Sequence, residues 1–408
     1  MVKNMDARIL RILIAACCTI AVATSCRRED LVLKEQRVPI VGYEVPLQNV
    51  KGFYLLNEGN MGNNKATLDY FDYTFYDSTA QRYGIYIRNI YADRNPMKPR
   101  ELGDVGNDID IYGSKLYAVI NCSNFVEVMR AADATHVAEI PIPNCRYLAF
   151  HGGYMYVTSY AGPVMLHNPA QRLGYVAKID TATFAIVDTC TVGYQPDDMA
   201  IVGDKLYVAN SGGYMFPAYD STVSVIDLAT FQEVKKINVA INLHRLIADK
   251  RGFIYVSSRG DYYNAPSRTF IIDSHIDKVV MELTQADPTS GEQKSVRNSE
   301  MSLCGDSIYF YGVEFSYITN SNSISYGIID CQSQQVVSRH FITDGTEKDI
   351  TIPYGVAVNP ETREIFVTDA KDYISPGKLH CYSPDGQLQW SVTTGDIPAH
   401  FVFVYHEH

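Results

Sequence analysis

A repeated run of short β-rich segments constrains the fold of this chain more than any other feature. The clearest copy spans residues 196–239, where a Gly203-Asp204 pair separates two β-rich runs and two further β-rich runs follow. A Gly-Asp pair between such runs is a hairpin signal. This copy is therefore predicted to form four short antiparallel strands, here named A to D in chain order.

The second strand of this unit recurs along the whole chain. Its seven copies are centred, at spacings of 39 to 63 residues, on Tyr54, Tyr117, Tyr156, Tyr207, Tyr255, Tyr309 and Phe366. Four strands in each such interval are typical of a β-propeller, because a β-helix has much shorter repeats. The predicted fold class is all-β, a seven-bladed β-propeller of four-stranded antiparallel blades. The tyrosines of strand B are expected in the core.

The two ends of the repeat region complement each other. The first copy lacks a strand A before Phe53, and the chain finishes in the β-rich run Phe401–Val404 with no strand B after it. We therefore predict that the C-terminal strand joins the N-terminal blade and closes the ring. Closure of this kind removes exposed sheet edges.

The first residues have the features of a targeting segment. Lys3, Arg8 and Arg11 precede and enter an apolar run that leads into Ala23-Thr24-Ser25-Cys26. The run is too short to span a bilayer, and it resembles the lipobox of bacterial lipoproteins, in which the cysteine is acylated. We predict a signal peptide at 1–25, lipidated Cys26 and a tether at 26–50, and the propeller at 51–408. Acidic residues after Cys26, interrupted by two arginines, resemble a Bacteroides-type surface-export signal, which predicts an outer-membrane, cell-surface location.

Charge and cysteine content exclude some functions. The formal net charge of −11 argues against a nucleic-acid partner, since nucleic acids attract basic surfaces. Beyond Cys26 there are six cysteines and no C-x-x-C pair, so no metal site is predicted. An even number in an exported protein permits disulfides without requiring them, and most of these cysteines are expected to be buried.

In a propeller, the B–C and D–A loops emerge on one face, which we call the loop face. The D–A loops are expected to be short and the B–C loops long, so function is expected where the long loops gather. The predicted long loops are Asn57–Thr67, Tyr160–Gly174, Asn210–Ser221, Arg259–Ser267, Glu314–Ser325 and Asp369–Gly377. They carry an unusual set of aromatic residues: Tyr160, Tyr214, Phe216, Tyr219, Tyr262, Tyr263, Tyr317 and Tyr373. Such a rim suits a large amphipathic molecule or a sugar, although each ring could instead pack loop against loop.

The sequence offers less support for an enzyme. It has no G-x-S-x-G, H-E-x-x-H or phosphate-binding G-x-x-x-x-G-K-[ST] motif. The best catalytic candidates are acidic residues where strand A begins, as in propeller lactonases and glycosidases: Asp108, Asp197, Asp198 and Glu300. The alternative, which we favour, is that these carboxylates bond exposed backbone N–H groups. No catalytic residue is therefore predicted.

Two levels of family resemblance follow. The run from Leu206-Tyr207-Val208-Ala209-Asn210 to Thr222–Asp227 resembles the Tyr-Val-Thr-Asn repeat of YncE-like propellers. Further stretches resemble the BtuG family: Leu56–Leu68, Leu102–Asp108, Val119–Asn124, Val192–Pro196 and Ala209–Tyr214. That resemblance implies a seven-bladed surface lipoprotein that captures cobalamin and related corrinoids and passes them to the TonB-dependent outer-membrane transporter BtuB. A glycan-binding or protein-binding propeller lipoprotein remains an alternative.

The resemblance also implies a set of ligand contacts. Arg146 or Arg245 would meet the nucleotide-loop phosphate of the corrinoid, and His244 or His400 would act as hydrogen-bonding groups rather than cobalt ligands. Cobalamin is expected as a carried ligand, and no cofactor is expected. The other predicted contacts are Asn57, Asn60, Asn124, Tyr160, Tyr194, Asn210, Tyr214, Phe216, Tyr262 and Tyr263.

Overall fold

The computed structural model describes residues 34–75, 84–164, 172–287, 289–316 and 321–406. The predicted signal peptide, Cys26, the first part of the tether and Tyr317 lie outside these residues. The described chain forms seven antiparallel blades in a ring, six of four strands and one in which a fifth strand is added to the four, which confirms the predicted seven-bladed β-propeller.

The strands follow one another regularly along the chain. Blade 1 contains β1 (Gln36–Pro39), β2 (Val50–Asn57), β3 (Thr67–Asp72) and β4 (Ile85–Arg88); blade 2 contains β5 (Gly106–Tyr112), β6 (Lys115–Ile120), β7 (Phe125–Arg130) and β8 (His136–Pro141). Blade 3 contains β9 (Cys145–His151), β10 (Tyr154–Ser159), β11 (Tyr175–Asp180) and β12 (Ile186–Thr191); blade 4 contains β13 (Pro196–Val202), β14 (Lys205–Asn210), β15 (Thr222–Asp227) and β16 (Gln232–Asn238). Blade 5 contains β17 (Leu243–Ala248), β18 (Phe253–Ser258), β19 (Arg268–Asp273) and β20 (Lys278–Glu282), and is followed by a hairpin of β21 (Thr284–Ala286) and β22 (Gln293–Ser295). Blade 6 contains β23 (Glu300–Cys304), β24 (Ser307–Ser316), β25 (Ser321–Asp330) and β26 (Gln335–Ser338); blade 7 contains β27 (Pro353–Val358), β28 (Ile365–Asp369), β29 (Pro376–Tyr382) and β30 (Leu388–Asp396), and β31 (Pro398–Tyr405) returns to blade 1.

The C-terminal strand closes the ring as predicted. β31 pairs antiparallel with β2, with Phe403 opposite Phe53 and Phe401 opposite Leu55. The Phe53 ring lies 5.7 Å from the ring of Phe401 and 4.8 Å from that of Phe366 in blade 7, measured between centroids. The closure therefore buries aromatic surface between the first and last blades as well as completing a sheet.

The outer edge of blade 1 differs from the expectation. Part of the predicted tether forms β1, which pairs with β4 from Gln36 opposite Arg88 to Pro39 opposite Ile85. The short outermost strand β4 would otherwise expose unpaired backbone groups, and β1 covers them. Blade 1 consequently has five strands.

A β-bulge near the start of strand A recurs in six blades. In β5, β9, β13, β17, β27 and β31 the pairing register shifts within the first residues of the strand. In three of these blades a hydroxyl on strand B faces the bulge and accepts a backbone N–H from it: Thr158 from Tyr147, Ser257 from Arg245 and Thr368 from Gly355. The recurring pattern, which reads Tyr-Val-Thr, Tyr-Val-Ser or Phe-Val-Thr in these blades, thus places a core residue and a bulge acceptor two positions apart.

Thr368 offers a test of this arrangement. It is fully buried, accepts the Gly355 N–H at 2.7 Å and donates to the Pro398 carbonyl at 2.6 Å, which links blade 7 to β31. Thr368→Val keeps the shape but leaves both backbone groups unpaired, so we expect a loss of about 2 kcal/mol in the free energy of unfolding. Urea titration measures it, and Thr191→Val on the exposed strand β12 is the control, expected to change stability by less than about 0.5 kcal/mol. Equal effects of the two substitutions would contradict the role of the bulge acceptor.

The core follows the repeat. The strand B tyrosines Tyr117, Tyr156, Tyr207 and Tyr255 are at most 1% exposed, whereas Tyr309 is only half-buried.

All six cysteines in the described residues are unpaired, and five are buried, with Cys122 the exposed one. No helix among the described residues has the length and hydropathy needed to cross a bilayer.

The expectation for the loops was partly wrong. Three D–A connections are long, because they contain helix α1 (Ile90–Arg94), the β21–β22 hairpin and a 3-10 helix at Thr346–Asp349. The predicted B–C loop Glu314–Ser325 is instead mostly strand, since β24 and β25 extend their pairing as far as Ser316 opposite Ser321. Alternating polar and apolar residues in that stretch are compatible with a long hairpin as well as with a loop.

Candidate ligand-binding site

Exposed aromatic rings gather on the loop face at the B–C loops of blades 4 and 5. The aromatic patch is the name we give to the exposed Tyr214, Phe216, Tyr262 and Tyr263 together with the half-buried Tyr219. Phe216 and Tyr263 are 56% and 70% exposed, and their ring centroids lie 5.6 Å apart although they come from different blades. Tyr219 lies 6.0 Å from Phe216 on the other side. Phe216 and Tyr263 thus contact other rings of the patch while much of their surface stays exposed to solvent.

The loops that carry the patch are held by local hydrogen bonds. In blade 5, the Asp261 carboxylate accepts the backbone N–H groups of Tyr263, Asn264 and Ala265 at 2.7 to 2.9 Å, as aspartate does in turns. In blade 4, the side-chain oxygen of Gln195 accepts the Tyr214 N–H at 2.8 Å. The aromatic rings are therefore presented on ordered backbone, which lowers the entropy cost of binding.

A buried charged cluster lies beside the patch where the channel opens to the loop face. The carboxylate of Asp197 is 0% exposed and pairs with two guanidinium groups, Arg146 at 3.3 Å and Arg259 at 3.2 Å. It also accepts the Tyr160 hydroxyl at 2.6 Å, and Arg146 lies 5.0 Å from the centroid of the Tyr160 ring. We call these four residues the mouth cluster. Two cations share one carboxylate, so the cluster has an excess of positive charge.

The opposite side of the channel mouth has a second polar group. Glu58 accepts the Tyr354 hydroxyl at 2.8 Å and lies 3.1 Å from the His400 imidazole. On the side of the mouth cluster, the His244 imidazole lies 3.3 Å from the Tyr147 hydroxyl. Burial, together with the nearby guanidinium of Arg259, holds the pKa of His244 well below its usual range, so its imidazole is neutral. Both histidines considered in the sequence thus have protein partners.

Three of the four acidic residues considered as catalytic candidates lie deeper in the channel and accept backbone N–H groups, whereas Asp197 bonds only the side chains of the mouth cluster, so the expectation of a backbone partner was wrong for Asp197. Asp108 accepts the Leu148 N–H of the next blade at 2.8 Å, and Asp198 accepts the Leu246 N–H of the next blade at 3.1 Å. Burial raises the pKa of both carboxyls, that of Asp198 to about 7. Glu300 forms an ion pair with Arg245. The capping interpretation describes Asp108 and Asp198, which join adjacent blades.

Among the described residues, one group comes close enough to hold a metal ion. Glu127, His136 and Glu139 lie on β7 and β8, in the outer half of blade 2 and away from the channel. Glu127 already bonds the Tyr91 hydroxyl at 3.0 Å and the His136 imidazole at 2.7 Å. The acidic residues Asp108, Asp197, Asp198 and Glu300 do not form such a group.

The structure brings together seven of the twelve predicted contacts and separates the other five from them. Tyr214, Phe216, Tyr262 and Tyr263 belong to the aromatic patch, Arg146 and Tyr160 to the mouth cluster, and half-buried Tyr194 adjoins them through Asp220, which accepts its N–H at 2.8 Å. The others are bonded elsewhere: Asn57 to Thr67, Asn60 to Tyr373, Asn124 to Asn144, Asn210 to Ser224 and Arg245 to Glu300.

Asn57 and Asn210 are fully buried at the ends of strand B, where each side chain bonds the neighbouring strand C. Their position next to loops made them look like rim residues. Arg259 and Tyr147 were not among the predicted contacts, and the sequence pattern around each of them gave only a weak indication of its position. Arg259 directly follows strand B as the first residue of a predicted long loop. Tyr147 follows Arg146 in a β-bulge that cannot be predicted from the sequence.

Fold and site together define a seven-bladed β-propeller whose loop face carries exposed aromatic rings. The chain belongs to the family described as DUF5074, a domain of unknown function, whose model matches residues 51–388. No curated protein matches it in sequence.

Solved structures support the fold at low identity. A putative 6-phosphogluconolactonase from Bacteroides fragilis is similar with a TM-score of 0.54 and 11% identity over 88% of this chain and 99% of that one. A quinonprotein alcohol dehydrogenase-like protein from Bacteroides thetaiotaomicron gives 0.52 and 17% over 88% and 79%. Hydrazine synthase from Kuenenia stuttgartiensis gives 0.53 and 15% over 69% and 77%. At these identities the similarity concerns the fold alone.

Proposed function

We propose that this protein is a lipid-anchored outer-membrane protein, displayed at the cell surface, that captures a corrinoid of the cobalamin class on its loop face. The observation that carries the proposal is the aromatic patch, in which rings from two blades are exposed side by side on ordered loops. A corrin is broad and largely apolar, and its periphery carries amides. Tyrosine matches such a ligand because its ring gives contact area and its hydroxyl a hydrogen bond.

The mouth cluster supports the same class of ligand. Arg146 and Arg259 share the single carboxylate of Asp197, and the Arg259 side chain is 31% exposed. An anionic group placed beside Arg259 would balance the excess positive charge, and guanidinium is well suited to phosphate. The nucleotide-loop phosphate of a corrinoid supplies such a group while its ring lies on the patch.

The path of the chain into the propeller supports delivery to a partner in the membrane. Gln36 pairs with Arg88, the last residue of β4, and the Glu35 N–H donates to Asp93 of helix α1 at 2.8 Å. Strand D ends at the loop face, so the chain enters the propeller on the side that carries the aromatic patch. A tether anchored at Cys26 would then hold that side near a TonB-dependent transporter, to which the corrinoid is handed.

Calorimetric titration with cyanocobalamin tests the proposal. We expect binding at micromolar protein, and we expect Phe216→Ala and Tyr263→Ala each to weaken the affinity at least tenfold, which is about 1.4 kcal/mol. Tyr405→Ala is the matched control, because Tyr405 is 50% exposed but lies at the far end of β31, on the opposite face. Its affinity should equal that of the unmodified protein.

Two outcomes would overturn the proposal. One is the absence of heat with cyanocobalamin, with gel-shift binding to a polysaccharide instead, which would favour a glycan-binding propeller. The other is an equal loss of affinity in all three variants, which would mean that the aromatic patch is not the contact surface. Turnover of a lactone or glycoside that Glu300→Gln abolishes would favour an enzyme.

A further inference from the structure

The central channel contains a cavity of about 420 Å³ that is separate from the aromatic patch. All seven inner strands contribute to its wall, and it extends to Pro360 in the turn that follows β27. That turn joins strands A and B, which places this end of the cavity at the face opposite the loop face. The lining includes none of the four mouth-cluster residues, which lie at the other end of the channel. A ligand there would not compete with one on the patch.

The cavity wall contains an unused hydrogen-bond donor. Arg245 is 9% exposed and lines the cavity; its guanidinium pairs with Glu300 through one terminal nitrogen and lies 4.8 Å from the centroid of the Tyr147 ring. Its Nε is buried and has no partner among the described residues. The Nε has almost no accessible surface, so a ligand oxygen would meet it only after a small shift of the Arg245 side chain, and the bond formed would remove the cost of an unpaired buried N–H.

The same wall offers hydrogen-bond acceptors. Asp108 and Asp198 both line the cavity, and their carboxylates accept backbone N–H groups. A carboxylate has about four lone-pair positions, so each retains capacity for a ligand donor. Donor and acceptors therefore line the same cavity.

The charges of the wall restrict the class of ligand. Glu300 already pairs with Arg245, the single guanidinium of the wall, so no unpaired cation is available to an anionic ligand. Burial raises the pKa of Asp108 and Asp198, which weakens the attraction of these carboxyls for a cation. A cation is disfavoured near Arg245 itself, whose Nε requires an acceptor. A neutral molecule with both hydroxyl donors and oxygen acceptors satisfies both conditions.

The remaining wall is apolar. Phe401 and Phe403 line the cavity next to aliphatic residues of β17 and β27, including Ile247 and Val356. Carbon–hydrogen faces of a ring can pack on such a surface while the hydroxyls reach the polar side. The volume is within the range of small-molecule sites, which is about 300–1,000 Å³.

From these observations we infer that the channel is a second binding site, open towards the face opposite the loops, for a neutral polyhydroxylated molecule of the monosaccharide or disaccharide class. Arg245 donates to a ligand oxygen, Asp108 and Asp198 accept from ligand hydroxyls, and the phenylalanines of β31 contact its carbon frame.

Saturation-transfer NMR on the full chain tests the inference with D-glucose, D-galactose, N-acetyl-D-glucosamine and cellobiose as probes, and with spermidine and citrate as charged comparisons. We expect transfer to at least one of the sugars and to neither charged probe. Ser302→Trp, which fills the cavity without removing an ion pair, should abolish the sugar signal, and Arg245→Gln should weaken the affinity at least tenfold. Ser323→Trp, at an exposed position of strand C in the same blade and outside the cavity lining, is the control and should keep the signal.

No sugar signal at millimolar probe, or a sugar signal that survives Ser302→Trp, would overturn the inference. A signal from spermidine or citrate that Ser302→Trp removes would overturn the ligand class. Cyanocobalamin binding measured on the same variants separates this inference from the proposed function, because Ser302→Trp should leave it unchanged while Phe216→Ala should weaken it. A melting curve of each variant identifies loss of folding, in which case Ala357→Leu replaces Ser302→Trp as a milder filling of the same wall.

Discussion

Deletion of residues 398–405, which form β31, is expected to abolish the cooperative unfolding transition of this protein. The deletion removes the inner strand of blade 1, exposes the edge of β2 and uncovers Phe53, whose ring lies 5.9 Å from that of Phe403. An opened ring also loses the contact between blades 1 and 7 that Phe366 makes with Phe53. Because a domain is stable by only about 5–15 kcal/mol, the loss of one whole strand exceeds what the remaining blades can offset.

Thermal unfolding followed by circular dichroism measures this effect. The control removes only residues 407–408, beyond the last described residue, and should melt within about 2 °C of the intact protein. If the chain without β31 melted cooperatively at the same temperature as the control, ring closure would not contribute to stability. The edge of β2 left by the deletion should also promote aggregation, which light scattering detects during the same experiment.

The second large effect is expected from Asp197→Ala. This substitution leaves the guanidinium of Arg146, whose side chain is only 14% exposed, and that of Arg259 without their shared carboxylate, and it removes the acceptor of the Tyr160 hydroxyl. Breaking a buried ion pair by removing one partner costs about 3–5 kcal/mol, because an uncompensated charge stays buried. We expect a decrease of that size in the free energy of unfolding from urea titration.

Glu139→Ala is the matched control for this experiment. It breaks the ion pair between Glu139 and Lys98, whose side chains are 44% and 31% exposed, and exposed pairs contribute about 0–1 kcal/mol. Similar losses in the two variants would mean that Asp197 behaves as an ordinary surface acid and that the mouth cluster is not a structural unit. A restoration of stability by the double variant Asp197→Ala with Arg146→Met would support the charge argument directly.

The predictions from sequence agree best with the structure at residues that belong to the repeated strands. Tyr156 and Tyr207 are buried because strand B lies between strands A and C in every blade. The alternation of its side chains between the two faces of the sheet is visible in any single copy of the repeat. The predicted site residues agree less well with the structure. Asn210 follows the same strand and looks like a loop residue, yet its amide donates to Ser224 on strand C at 2.9 Å. A strand-end asparagine and a rim asparagine have the same local sequence.

The sequence by itself determined the seven repeats, the antiparallel order within each blade and the closure of the ring by the C-terminal strand, because these depend on local β-propensity, turns and the count of strands. Only the tertiary structure decided which charged groups meet. Arg259 reaches Asp197 across 62 positions of sequence, and Arg245 reaches Glu300 across 55. Such pairs depend on how the blades rotate about the channel and on bulges that turn two neighbouring side chains, and neither property is encoded in a short stretch of residues.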